Sequence, residues 1–154
     1  MSLEKHRHIT KAQFDREFEI YHQLSKSFFS MIVSLSSFTN RTLELNECPQ
    51  DNRKIIVDNI TRMIDKTGMA QNVLYENSAF IPKDIFELYD AIYENANDLF
   101  WCYEKKSLDY ASGRIDIANL ISEDNKVTAK EIEHNFYIAS AKLREYLGTL
   151  AIVE

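Results

Sequence analysis

Apolar residues recur along this chain at alternating spacings of three and four, the pattern of helices that bury one face. The first run opens at Thr10-Lys-Ala-Gln13, a capping box in which hydroxyl and amide satisfy orphan N–H groups. Phe14, Phe18, Tyr21, Ser25, Phe28, Ile32 and Leu35 then form one stripe. Its apolar centre, Ser27 to Phe38, is Ser-rich and shorter than the ~20 residues that span a bilayer, so it reads as a buried bundle helix. The stretch 46–52 is expected to be a connection, with Pro49 blocking helix continuation. A second stripe follows at Ile56, Ile60, Met63, Thr67, Ala70 and Leu74, with Gly68 off it. Pro82 is expected at the first helical position of a third helix, with Asp84 and Glu87 near its positive end. Its stripe is Ile85, Leu88, Tyr89, Ile92, Ala96, Leu99, Tyr103 and Tyr110, ending by Gly113. Residues 114–127 form a short extra helix or a packed loop. A second capping box, Thr128-Ala-Lys-Glu131, is expected to open the last helix, whose stripe is Ile132, Phe136, Ala139, Leu143, Tyr146 and Leu150.

Four helices of similar length with short connections predict an all-α, up-down-up-down four-helix bundle, and long helices also permit an elongated, coiled-coil-like form. One domain is expected over 10–154, preceded by a disordered or expression-derived N-terminus at 1–9. Composition supports this: only 3 Gly and 2 Pro in 154 residues leave few tight turns for sandwiches, barrels or many-stranded α/β folds. No G-x-G-x-x-G or G-K-[ST] loop occurs. Cys48 and Cys102 are too few for a disulfide framework or a four-cysteine zinc site. The net charge of −6 opposes general nucleic-acid binding, which needs a basic footprint.

Phe14-Asp-Arg-Glu-Phe-Glu-Ile-Tyr21-His-Gln-Leu24, Asn77-Ser-Ala-Phe-Ile-Pro82 and Leu143-Arg-Glu-Tyr-Leu147 together resemble an uncharacterised group of bacterial, mostly Gram-positive, helical proteins. The resemblance implies a helical domain, often carried behind an N-terminal hydrophobic or coiled segment. It brings no activity and no catalytic residues. Residues 1–11 hold Lys5, Arg7 and Lys11 against Glu4, the basic excess expected on the cytoplasmic side of a tether.

Candidate chemistry is sparse. Glu19-Ile-Tyr-His22 and Glu131-Ile-Glu-His134 are two E-x-x-H motifs of the kind that di-iron carboxylate bundles point inward. Helical geometry argues against convergence here. Glu19 and His22 lie about 140° and 80° from the Phe14 stripe, and Glu131 and His134 about 260° and 200° from Ile132. They read as solvated faces, with a metal-dependent or small-molecule-binding enzyme as the alternative. No other catalytic group and no cofactor is expected.

The third helix carries more apolar surface than a bundle position needs. Phe86, Tyr93 and Phe100 lie about 60–100° from Ile85, and Trp101 at about 160°. Either residues 114–127 fold back over this flank or it meets another chain. The sequence therefore predicts a non-enzymatic helical interaction or scaffold module with Phe86, Tyr93, Phe100 and Trp101 at its interface. The expected partner is a second copy, as a homodimer, or another helical protein, and no nucleic acid. A membrane is expected only through a segment absent from this chain. The expected compartment is the cytoplasm, including the cytoplasmic face of the membrane.

Overall fold

A computed structural model of the protein describes residues 7–41 and 49–153, with side chains over 8–40 and 52–150. Four long helices account for most of it: α1 (Lys11–Arg41), α2 (Pro49–Glu76), α3 (Lys83–Ala111) and α4 (Glu123–Gly148). Single 3₁₀ turns, Ser78–Phe80 and Ile117–Asn119, lead into α3 and α4. Each helix packs on its chain neighbours and α1 closes the ring against α4, with α1 and α3 on one diagonal. That is the up-down-up-down bundle expected from the periodicity.

The core follows the stripes. Tyr21, Leu24, Phe28, Met31 and Leu35 of α1 meet Met63, Ala70 and Leu74 of α2, Tyr89, Ala96 and Tyr103 of α3, and Ile132, Ala139 and Leu143 of α4. Each large buried side chain stabilises the fold by roughly 1.5–3 kcal/mol. Aromatic pairs bridge the α1–α3 diagonal, Phe28 edge-on to Tyr89 at 4.9 Å and Phe38 tilted on Tyr103 at 4.7 Å. The Thr39 hydroxyl donates to the Leu35 carbonyl at 2.9 Å, so at 2.7 Å it accepts from Tyr103. Phe18, assigned to the first stripe, is instead exposed, stacked between Phe14 and His22.

Helix ends show where local chemistry decides. The Thr10–Gln13 box forms, with Thr10 N–H donating to Gln13 Oε1 at 3.0 Å and Gln13 N–H to Thr10 Oγ1 at 3.2 Å. Gly113 takes φ +76° and closes α3 with N–H bonds from Gly113 to Tyr110 and from Arg114 to Asp109, a Schellman ending. Pro82 sits one position earlier than expected, capping α3 rather than opening it. Pro49 opens α2 instead of blocking it, because a first-turn N–H has no intrahelical acceptor to lose.

The box expected at Thr128 does not start α4. Ser122 does: Asn125 N–H donates to its hydroxyl at 3.1 Å, and Ser122 N–H donates to Asn125 Oδ1 at 3.3 Å. Asn at the third position performs the task usually given to Glu or Gln. Leu120 and Ile121 are buried, so this stretch is a packed turn rather than an open loop.

A short parallel pair joins the two ends of the chain. β1 (Arg7–Thr10) pairs with β2 (Leu150–Val153), Arg7 opposite Leu150 and Thr10 opposite Val153. Residues 7–9 are thus structured, contrary to a disordered 1–9, and Ile9 is buried; residues 1–6 lie outside the described residues. Leu150 belongs to β2 and not to the last helical stripe. An up-down bundle brings the start of α1 and the end of α4 to one end, where main-chain donors and acceptors find each other. Among the described residues no helix is long and apolar enough to cross a membrane.

Candidate functional site

The two E-x-x-H motifs do not build a site. Glu19, His22, Glu131 and His134 are all exposed. Glu19 accepts from Gln23 at 3.2 Å, His22 stacks on Phe18, and Glu131 and His134 lie beside Val127 and Lys130 on α4 alone. Among the described residues no group of three or more His, Cys, Asp or Glu side chains could hold a metal ion. Cys102 is half-buried and accepts a long contact from Asn125 Nδ2 at 3.5 Å, while Cys48 lies outside the described residues.

The four residues expected at an interface separate into two groups. Tyr75 of α2 lies across Phe86 at 5.7 Å and edge-on to Tyr93 at 6.2 Å, so α2 half-covers both. Its hydroxyl donates to Asp90, which, with some burial, pushes the Tyr75 pKa up to about 12. Phe100 is in the core at 5% exposure. Phe86 and Tyr93 therefore pack against α2 of the same chain, and Phe100 lies in its core. A bundle helix must satisfy two neighbours as well as the centre, which widens its apolar arc. Trp101 alone remains open, 58% exposed with its ring against Phe100 at 5.2 Å.

Trp101 has company that the stripes did not reveal. Leu108 follows it by seven residues, within about 20° around α3, and is 67% exposed. On α2, Val57 and Ile64 are also seven apart and are 61% and 46% exposed. The antiparallel register of the two helices is pinned at both ends. Asn52 Nδ2 donates to the Tyr110 hydroxyl at 3.0 Å and Arg53 to the Ala111 carbonyl at 3.3 Å, while Tyr75 meets Phe86, Asp90 and Tyr93. This register sets Val57 level with Leu108 and Ile64 level with Trp101, two apolar rungs on one face.

At the Val57–Leu108 rung the groove opens into a cavity of about 270 Å³. Ile56, Val57, Ile60 and Leu108 give it apolar walls, with Thr61 and Ser107 beside them. Glu104 lines it too, and one of its carboxylate oxygens is buried with no hydrogen-bonding partner among the described residues. The signal for this face was present in sequence as two seven-spaced apolar pairs lying off the core stripes. It could not be read there without the register.

The opposite face, between α1 and α4, also exposes Phe18, Phe29, Val33 and Tyr137. Its grooves differ in chemistry. One is lined mostly by charged and polar side chains, Glu123, Lys126, Lys130 and Glu133 with Ser36, Thr39 and Asn40; the other mixes His22, Arg144, Ser25 and Ser140 with Phe18 and Leu143. The α2–α3 face combines large exposed apolar side chains with an apolar recess.

No protein-family model matches this chain, and neither a curated protein nor a solved structure matches it.

Proposed function

We propose that this protein is a helical interaction module that associates with itself through the α2–α3 face. One observation carries the reading: Val57, Ile64, Trp101 and Leu108 hold large apolar side chains in water around an apolar recess. Contiguous exposed apolar surface of this kind marks contact sites, and tryptophan is the residue most enriched among binding anchors. Self-association through such a face requires no cofactor and no catalytic group. The expected compartment is the cytoplasm, at the membrane face where a hydrophobic segment precedes this chain, as the resemblance implies.

Sedimentation equilibrium from low to high micromolar concentration tests the reading. Wild type should dimerise, and Leu108→Glu should shift the protein to monomer with its helical spectrum unchanged, since Leu108 is mostly exposed. A wild-type monomer across the whole range removes self-association as the function.

A further inference from the structure

Resting on that reading, we propose that two copies dock antiparallel through this face, the Trp101 of each seated in the α2–α3 cavity of the other. The twofold axis lies in the interface and crosses the helices at the level of Thr61 and Glu104.

The face carries a knob and a hole. Trp101 projects from the face at one rung, and the cavity lies at the next rung, beside Val57 and Leu108. A single copy cannot bring its own knob and hole together, because both stand on rigid helices two turns apart. A second copy can, and a twofold interface then makes the contact twice. The size fits: an apolar cavity of ~150 Å³ suffices for a benzene ring, and this one is about 270 Å³. A flat neighbourhood helps as well, since Gly68, close to the Trp101 rung, has nothing within 4 Å of where a Cβ would stand.

Two twofold axes could pair the face with itself, and charge chooses between them. Arg53, Lys54, Lys105 and Arg114 outnumber Asp58, Glu104 and Asp109 at the end where α2 begins, Arg114 lying 3.7 Å from Asp109. Beyond the Trp101 rung, Asp65, Asp90, Glu94 and Asp98 make the face acidic. An axis running along the helices keeps levels matched. It sets acid on acid, Asp65 near Asp98 of the second copy, and leaves the cavity facing Leu108 and Val57. An axis running across the helices exchanges the ends. α2 then lies antiparallel on α2 and α3 on α3, with Trp101 level with the second copy's Leu108. The same rotation sets Lys54 near Asp65 and Lys105 level with Glu104, each pair formed between copies. Lys105 thereby supplies a cation for the Glu104 carboxylate, whose buried oxygen has no partner within one chain among the described residues. Complementary ends fix the register and suppress the like-charge alternative.

Two variants with complementary defects test this geometry. Trp101→Ala keeps the hole and loses the knob; Leu108→Glu keeps the knob and spoils the hole. Both positions are exposed, so each variant should fold, checked by its helical spectrum and melting midpoint. Each alone should lose about thirtyfold or more in association constant. Mixed in equal amounts they should form a heterodimer tighter than either homodimer, because one intact knob-in-hole contact survives only in the mixture. Association should also weaken as salt rises, since opposite charges meet. If wild type dimerises but the mixture shows no gain, the seating of Trp101 is wrong and self-association still stands. Association that strengthens with salt overturns the antiparallel axis. A monomeric wild type removes the inference and the reading beneath it together.

Discussion

Where α3 begins, Tyr75 of α2 lies over Phe86 and Tyr93 and donates to Asp90, and the groove between the helices is filled. Where α3 ends, the same two helices leave a cavity, and Val57 and Leu108 stand in water beside it. The difference traces to one heptad series on α2. Tyr75, Gly68, Thr61 and Lys54 recur on the side turned toward α3 and outward; Tyr75 closes the groove, whereas Gly68 and Thr61 are too small to and Lys54 carries its charge to solvent. A bundle helix that is apolar beyond its core stripe is therefore not by itself an interface. Half of this one is consumed by a neighbour in the same chain, and half is left over.

The sharpest way to break the comparison is at two adjacent residues. Phe100→Ala should lower unfolding free energy by about 3–5 kcal/mol in denaturant titration, because a core ring is lost. Trp101→Ala, measured at concentrations too low for association, should stay within about 0.5 kcal/mol of wild type. Equal losses would mean that Trp101 belongs to the fold of the single chain.

In the filled half, Tyr75→Phe keeps the ring on Phe86 and Tyr93 but removes the hydroxyl that Asp90 accepts from. The hydrogen bond to Asp90, aided by burial, raises the Tyr75 pKa to about 12. A raised pKa contributes stability that is fully present below the unfolded value near 10 and is lost as pH climbs through the folded one. Burial moves Tyr89 and Tyr103 the same way, so the protein should lose melting temperature above about pH 10. Tyr75→Phe should make that alkaline fall shallower than in wild type. Parallel pH profiles for the two proteins would show that the Asp90 contact contributes nothing.

The smallest effect should come from the middle of the series. Gly68 has an ordinary helical φ and open space around its missing Cβ. Gly68→Ala should therefore raise the thermal midpoint, with a gain of up to about 1 kcal/mol. No gain, or a loss, would mean that the backbone at Gly68 departs from the helix or that the face is closed there.

Much of the bundle was legible because helix periodicity and caps are local. The Thr10–Gln13 box, the Gly113 ending and the second, third and fourth stripes as far as Leu143 could be read from neighbours within one turn. Errors fell where two local signals compete. Thr128-Ala-Lys-Glu131 and Ser122-Glu-Asp-Asn125 both look like starts, and burial of Leu120 and Ile121 favours the earlier one. Pro49 reads equally as a stop or a first residue until the chain after it is known to be helical. The candidate site was half legible. Trp101 is legible by its angle from the core stripe, but Val57, Ile64 and Leu108 are not, and the packing of Phe86 and Tyr93 under Tyr75 needs the register of α2 on α3.

By itself the sequence determined that four helices form and, Phe18 and Leu150 aside, which stripe of each is apolar. Those properties follow from spacing along one chain segment, where 3.6 residues per turn converts position into direction. Tertiary structure alone decided the rest. It set the register that levels Val57 with Leu108 and Ile64 with Trp101, laid Tyr75 across one half of the groove, and joined the chain ends in a parallel pair. These depend on which helix lies beside which and at what height. Such relations are set by packing the whole core at once, and residues a full helix apart in sequence record them only after they meet.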